Sequence, residues 1–261
     1  RWHPAQAHVL VHYDGNEYTT VRVQYTNVET GITTTVYTFP AQYYRIRGNQ
    51  SFDELSHDGR WMAGMLQDEN GQSVIFSLDL QTPALGAVLP LSTLYTTRCT
   101  PDPQYGNMEP DWVGVSPLGR YLFVQWQRDN VPEGTVACGG AETYDIQTGA
   151  HLGTVNDAHQ HGDLGLLPDG TTEILMPFEV YHPSGRLSFS YRLLPGPATG
   201  VGAPNYVLVF DWNAGGQHLS AQGPNGTALV TFGEMNTADG MSPFEGEIAL
   251  IRTNGSVQRL A

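Results

Sequence analysis

The stretch SHDGRWMAGM at 56–65 joins a polar turn, a glycine and an apolar strand, and the same combination recurs along the chain. Three further copies are SPLGRYLFVQW at 116–126, LPDGTTEILM at 167–176 and GPNGTALVTF at 223–232. Their turn glycines are spaced by 60, 51 and 56 residues and are Gly59, Gly119, Gly170 and Gly226. Glycine suits a tight hairpin because it takes a positive φ without a Cβ clash. The repeat therefore predicts hairpins at regular intervals.

A second turn follows later in most of these units. It reads NVETG at 27–31, DLQTP at 79–83, DIQTGA at 145–150 and RTNGS at 252–256. A β-rich run precedes each copy and a short strand follows it. Each unit is thus strand, glycine turn, strand, loop, strand, second turn and strand. Four antiparallel strands in about 50 residues are typical of one propeller blade.

The predicted fold is an all-β propeller with four-stranded antiparallel blades and about five blades in a single domain, 1–261. The blades are expected near 1–48, 49–94, 108–156, 159–213 and 215–261, and the first is expected to lack its inner strand. Such a blade would leave an unpaired edge. The chain would then be part of a seven-bladed ring, a partner chain would complete the ring, or five blades would close on themselves. A β-sandwich is the alternative fold.

Composition narrows the partners of this chain. Charged residues are 15% of the 261 residues, and 30 glycines with 17 prolines are spread throughout, which excludes long helices. The net charge of −14 argues against nucleic acid, because the phosphate backbone would be repelled. No run of about 18 apolar residues is present, so no membrane span is expected.

The two cysteines lie in loop-like sequence. Cys99 is in TTRCTPDPQYG and Cys138 is in TVACGGAE. A single disulfide between them would fit a secreted, periplasmic or otherwise extracellular protein. Two free thiols are the alternative.

Site residues are expected where the inner strand of each blade begins, since these starts converge on the channel and commonly carry ligand sites. The expected ligand-binding residues there are Asp53, Asp111 and His159. His161, Asp163 and His218 form a possible site for a divalent metal, with Zn, Mn or Ca as the candidate ions. In a strand, residues two apart share a face, so His159, His161 and Asp163 would form one column. A solvated channel lining is the alternative.

Trp112 follows Asp111 at the same predicted channel mouth. An indole there could stack on a sugar ring. Packing inside the blade is the competing interpretation. A sugar platform at Trp112 would favour a glycan as the ligand.

The S-x-D-G-R-[WY] and x-x-T-G turns resemble the WD-like propeller repeats of secreted and periplasmic bacterial proteins. The resemblance implies a protein-interaction platform or a propeller polysaccharide lyase, whose histidines and divalent metal lie at the channel mouth. HQHGDLG at 159–165 and GGQHLS at 215–220 are similar to the segments that carry such histidines. By this resemblance, His161 and His218 are the candidate catalytic residues.

Two functions therefore follow from the sequence. The first is a non-catalytic binding or assembly module for a protein or glycan partner. The second is a metal-assisted polysaccharide lyase or hydrolase, in which a histidine would act as general base. Overall acidity disfavours an anionic glycan substrate.

Overall fold

The structure is a computed structural model. It describes residues 1–15, 20–47, 55–98, 110–126, 141–155, 162–166, 169–177, 187–196, 206–212, 217–222, 228–232, 248–251 and 257–259.

The described strands form five antiparallel sheets, in which each strand pairs with the next along the chain. Sheet 1 contains β1 (Val9–Asp14), β2 (Arg22–Asn27) and β3 (Thr33–Thr38). Sheet 2 contains β4 (Tyr43–Arg47), β5 (Trp61–Asp68), β6 (Ser73–Asp79) and β7 (Ala84–Pro90). Sheet 3 contains β8 (Pro110–Val115), β9 (Tyr121–Trp126), β10 (Ala141–Asp145) and β11 (His151–Val155).

Two more sheets follow in the same order. Sheet 4 contains β12 (Gly162–Leu166), β13 (Glu173–Pro177), β14 (Leu187–Leu193) and β15 (Tyr206–Trp212). Sheet 5 contains β16 (Gln217–Gln222), β17 (Ala228–Phe232), β18 (Ile248–Ile251) and β19 (Val257–Arg259). This succession of meandering sheets is the all-β architecture that the repeats predict.

The glycine turns have the geometry that the sequence predicts. Gly59, Gly119 and Gly170 take φ values of +72°, +66° and +67°, in the left-handed region. Side-chain oxygens close two of these turns, since Ser56 Oγ accepts from Trp61 N and Ser116 Oγ accepts from Tyr121 N, each at 2.9 Å. Gly226 lies outside the described residues.

The second turn is closed by a carboxylate or amide oxygen at its first position. Asn27, Asp79 and Asp145 each accept hydrogen bonds from the backbone N–H groups two and three residues later, at 2.8–3.1 Å. Such local bonds favour turns over continued strand. The recurring Asn or Asp in NVETG, DLQTP and DIQTG therefore has a direct physical role.

Neighbouring sheets pack through separate apolar clusters. Val11 and Val23 of sheet 1 meet Met62 and Phe76 of sheet 2 in one cluster. A second cluster joins sheet 2 to sheet 3 and includes Trp61, Ile75, Val113 and Leu122. A third cluster joins sheet 3 to sheet 4 and includes Phe123, Leu164 and Leu175. Sheets 2 and 3 are thus buried on both faces, as the central blades of a stack must be.

An aromatic ring from one sheet covers the turn glycine of the next. The His3 imidazole lies over Gly59, and the Trp61 indole lies over Gly119. A Cβ at Gly119 would be 2.6 Å from Trp61 Cδ1, well inside van der Waals contact. At Gly170 no atom lies within 4 Å of such a Cβ. The first two glycines therefore allow close sheet packing in addition to the turn itself.

Residues before β1 pair with its free edge. Arg1 N donates to Val11 O at 2.8 Å, and Val11 N donates to Arg1 O at 2.7 Å. His3 N donates to Val9 O at 2.8 Å, as Ser56 N donates to Trp61 O in sheet 2. His3 therefore occupies the position that Ser56 has in the next repeat.

The His3 side chain is buried and should make stability depend on pH. Its Nδ1 accepts from Ala5 N at 3.2 Å, and its ring packs edge-on against Tyr25. Burial lowers the pKa of His3 from 6.5, although the Asp58 carboxylate acts in the opposite direction. Protonation would also remove the acceptor that Ala5 N uses.

The unfolded chain binds the proton of this imidazole more readily than the folded chain does. The contribution of the neutral His3 to the free energy of unfolding is therefore fully present above the unfolded pKa and is lost as the pH falls below about 6.5. We expect the free energy of unfolding to decrease as the pH falls through the unfolded pKa of about 6.5. The pKa of His57 is also lowered by burial, but its side chain is partly exposed to solvent, so it adds only a small loss of the same sign. His3→Gln should reduce the slope, measured by urea unfolding at several pH values. Equal slopes in both proteins would show that His3 is not a source of the dependence.

One short helix was not predicted. The helix α1 (Leu91–Arg98) follows β7, where the sequence indicated only the end of a strand. Leu91 and Leu94 are three residues apart, share one side of the helix and are buried in the cluster between sheets 2 and 3. Among the described residues, no helix has the length and apolar character needed to cross a bilayer.

Candidate functional site

Most side chains of the predicted channel site are not described. Asp53, His159 and His161 lie outside the described residues, and so do Cys99 and Cys138. Of Asp111, Asp163 and His218, only the backbone is described. Asp163 pairs with Met176 in sheet 4, and His218 pairs with Thr231 in sheet 5. The convergence of His161, Asp163 and His218 on a metal, and the disulfide, therefore stay predictions.

The position of Asp111 differs from a regular strand residue. The pairing of β8 with β9 is irregular between Pro110 and Trp112, so Asp111 is the extra residue of a bulge. Both Asp163 and His218 lie in the first strand of their sheets. No group of three or more His, Cys, Asp or Glu side chains that could hold a metal ion occurs in the described part of the chain.

Trp112 is a core residue and not a sugar platform. Its side chain is 2% exposed and packs against Phe123, with ring centroids 4.7 Å apart. The indole lies in the cluster between sheets 3 and 4. Its ring faces are covered by protein, so the prediction of Trp112 as a ligand-binding residue is corrected.

The buried acids that are described serve to hold turns and sheets together. Asp79 Oδ2 accepts from Arg60 Nη2 at 2.7 Å, which links the glycine turn of sheet 2 to its second turn. Burial alone would raise the pKa of Asp79, but hydrogen bonds from Arg60 and from the backbone N–H groups of Thr82 and Gln81 outweigh it and hold the pKa below its usual value. Asp79 thus stays ionised and acts in structure.

Glu173 makes the corresponding link between two sheets. Its Oε1 accepts from Leu118 N at 2.7 Å, and its Oε2 accepts from Arg120 Nε at 2.6 Å. The side chain is fully buried, whereas the Arg120 side chain is nearly half exposed. Glu173 begins β13 in sheet 4, and its two donors belong to the glycine turn of sheet 3. The contact fixes one sheet against the next.

A third buried acid lies within sheet 3. The Tyr144 hydroxyl donates to Glu142 Oε2, and His151 Nε2 lies 3.6 Å from Glu142 Oε1. Tyr144 and His151 also make an edge-to-face ring contact with centroids 5.4 Å apart. These side chains face the cluster that joins sheets 2 and 3, because Tyr144 is a member of it. They form a buried polar contact inside the stack.

Sheet 1 differs from sheets 2 and 3 because its second face is polar. Alternate residues of its three strands form one surface, which we call the polar face of sheet 1. Its members are Leu10, His12, Asp14, Arg22, Gln24, Thr26, Thr33 and Thr35. The opposite face carries Val11 and Val23, which pack on sheet 2. All members of the polar face are half-buried or exposed. Within the part of the chain that the structure describes, this face is therefore exposed to solvent.

Two hydrogen-bonded rows cross the polar face. In the first, His12 Nε2 and Thr26 Oγ1 share a hydrogen bond of 2.8 Å, and Thr26 Oγ1 and Thr33 Oγ1 share another of 2.8 Å. In the second, Gln24 Nε2 lies 3.4 Å from both Thr35 Oγ1 and Asp14 Oδ2. The rows hold hydroxyl, imidazole and amide groups in fixed order on a flat β-surface.

An exposed tryptophan borders these rows. Trp2 is 62% exposed and pairs across the edge of β1 with Leu10. Directly paired residues of antiparallel strands point to the same side of a sheet, so the indole belongs to the same side as the polar face. Trp2 is the most exposed aromatic side chain among those described. A large ring beside hydrogen-bonding side chains is a common arrangement for binding a polar ligand with an apolar face.

The sequence contains a signal for this surface outside the turn repeats. VHYD at 11–14 and RVQYT at 22–26 alternate apolar and polar residues, whereas WMAGML and VIFSL in sheet 2 are nearly continuously apolar. Alternation is typical of a strand with one solvated face, and a continuous run is typical of a strand buried on both faces.

Comparison with known proteins supports the fold. Neither a known protein-family model nor a curated protein matches the chain. An oligogalacturonate lyase in complex with manganese aligns with a TM-score of 0.54 and 12% identity, covering 93% of this chain and 61% of the lyase. An oligogalacturonate lyase from Vibrio parahaemolyticus gives a TM-score of 0.55 at 10% identity, covering 95% of this chain and 64% of that one.

A third similar structure is the β-propeller domain of the Trilobed protease from Pyrococcus furiosus, which is described as having an open velcro topology. It aligns with a TM-score of 0.51 and 10% identity, covering 97% of this chain and 67% of that domain. The chain spans less than two thirds of the length of the two lyases. At these identities the similarity concerns the fold alone. Together with the sheet order, it confirms an all-β propeller with antiparallel blades.

Proposed function

We propose that the protein is a non-catalytic propeller module, secreted or periplasmic, that binds a protein or glycan partner. One observation carries this proposal: the polar face of sheet 1 presents pre-ordered hydrogen-bonding groups to solvent beside the exposed Trp2. Groups that are already fixed lose little conformational entropy on binding. A rigid stack of sheets that displays such a surface suits recognition.

The electrostatics of the chain also favour binding over lyase chemistry. A lyase acting on a uronic-acid polymer needs cationic groups for the substrate carboxylates. The chain has 12 basic against 26 acidic residues. Arg60 and Arg120 are already engaged by Asp79 and Glu173. Arg60 and Arg120 therefore contribute mainly to structure.

Metal-dependent lyase activity is the second candidate, and it can be tested directly. We expect no unsaturated product when the protein is incubated with polygalacturonate and manganese. The product would be detected by its ultraviolet absorbance. Chelation of metal should leave the thermal unfolding temperature unchanged. Product formation that requires manganese and is lost in both His161→Ala and His218→Ala would overturn the proposal and establish the lyase at the channel mouth.

A further inference from the structure

We propose that the polar face of sheet 1 is a binding site for a neutral glycan, with Trp2 as the stacking platform. This inference deepens the proposed binding function and rests on it. It places the ligand on the polar face of sheet 1, to which none of the predicted channel residues His161, Asp163 and His218 belongs.

The hydrogen-bonding groups of the face match those of a sugar. Thr26 and Thr33 hydroxyls can each donate or accept, and the bond between them has no fixed direction. Sugar hydroxyls have the same dual capacity. The row from His12 through Thr26 to Thr33 can therefore reorient its protons to suit a chain of sugar hydroxyls without moving heavy atoms.

The charge of the face indicates a neutral ligand. Arg22 Nη1 lies 3.4 Å from Asp14 Oδ2, so the cation and the anion of the face neutralise one another. Both side chains are about half exposed, so this pair adds little stability and serves to cancel charge. Elsewhere the chain carries a net charge of −14, which repels an anionic glycan.

The composition of the face favours a glycan over a protein partner. The centre of a protein–protein interface is usually apolar, with polar groups at its rim. Here the centre holds threonine, glutamine and histidine, and the apolar residues Trp2 and Leu10 lie along one border. The ring of Trp2 can cover the apolar C–H face of one sugar while the rows bind the hydroxyls of the next.

The geometry gives the site a defined extent. From the Trp2 segment to β3 the surface crosses four chain segments, which corresponds to about 14 Å at the usual strand spacing. A short stretch of a polysaccharide lying across the strands would touch the indole and both rows together. A single sugar unit would not reach from Trp2 to Thr33, so polymers should bind better than monosaccharides.

The test is affinity electrophoresis of the whole chain through gels that contain hydroxyethylcellulose, arabinoxylan or galactomannan, with polygalacturonate as the anionic comparison. We expect retardation by at least one neutral polymer and none by polygalacturonate. Trp2→Ala should weaken that binding about tenfold. Thr26→Val, which keeps the side-chain shape and removes the shared hydroxyl, should weaken it about fivefold.

Ile32→Ala is the matched control. Ile32 is 63% exposed, as Trp2 is 62% exposed, and it lies in the turn before β3. Its removal should leave the retardation unchanged, and all three variants should stay folded at the temperature of the gel, as shown by circular dichroism. Equal loss of binding in the Ile32 variant would show that no specific platform exists.

The remaining outcomes separate this inference from the broader function. Binding to a neutral polymer that survives Trp2→Ala and Thr26→Val places the site elsewhere and overturns the inference, while the binding function stands. If no neutral polymer retards the protein, the inference is overturned, and a protein partner remains as the other form of the proposed function. A dimer in sedimentation that dissociates in Trp2→Ala would show that a second copy covers the face instead.

Discussion

Replacing Gly119 with alanine is expected to lower the free energy of unfolding by about 3 kcal/mol. The left-handed backbone accounts for about 1 kcal/mol of this loss, since φ is +66°. The rest arises because the new Cβ would lie 2.6 Å from Trp61 Cδ1. Trp61 is 6% exposed and packs in the cluster between sheets 2 and 3 with twelve other buried residues, so the indole has little room to move away.

Gly170→Ala is the control for the backbone contribution. Gly170 has nearly the same φ, +67°, but no atom lies within 4 Å of the new Cβ. We expect this variant to lose about 1 kcal/mol. Urea unfolding of both variants gives the comparison. Equal losses at the two glycines would mean that Trp61 does not pack on the Gly119 turn.

Replacing Glu173 with alanine should cost about 3 kcal/mol of unfolding free energy. The side chain is fully buried, and its removal leaves Leu118 N and Arg120 Nε without the acceptor that they share across two sheets. Arg120 is partly exposed and can turn to water, which keeps the cost below that of a wholly buried ion pair. Equilibrium unfolding in urea measures the loss.

Two substitutions separate the possible causes of this loss. Glu173→Met fills the same space with an apolar side chain, and Met62 stands at the corresponding position of the repeat in sheet 2. This variant should be more stable than Glu173→Ala but less stable than the parent chain, because Leu118 N still has no acceptor. Glu69→Ala removes an exposed acid in a hairpin turn and should change stability by less than about 0.5 kcal/mol. If Glu173→Ala behaves as Glu69→Ala does, the contact between sheets 3 and 4 is not made.

The fold could be predicted from the sequence because its strongest signals are local. A glycine that needs a positive φ and an Asp or Asn that caps its own turn leave the same letters in each repeat, as at Gly59, Gly119 and Asp145. The helix after β7 was missed because its signal, Leu91 and Leu94 in one turn, is short. The packing of His3 on Gly59 was also missed, since it joins residues that are distant in the chain.

The candidate site was harder to predict. Trp112 was predicted to bind a ligand because it lies beside a predicted channel mouth. The burial of its side chain depends on Phe123 and on residues of sheet 4, which no local sequence pattern identifies. Glu173 could have been noticed as a charged residue where related strands have Met62 and Leu122. The polar face of sheet 1 is detectable from the alternation in VHYD and RVQYT, whereas its hydrogen-bond partners depend on the register of three paired strands.

A double-mutant cycle between Trp61 and Gly119 tests most directly the claim that successive sheets are held together by rings packed on turn glycines. Trp61→Val introduces a β-branched residue that suits a strand, and it removes the indole atom that a Cβ at position 119 would meet. We predict that Gly119→Ala costs about 3 kcal/mol in the parent chain but about 1 kcal/mol beside Trp61→Val, a coupling of about 2 kcal/mol. The same cost in both backgrounds would contradict the packing of sheet 2 on sheet 3 described here.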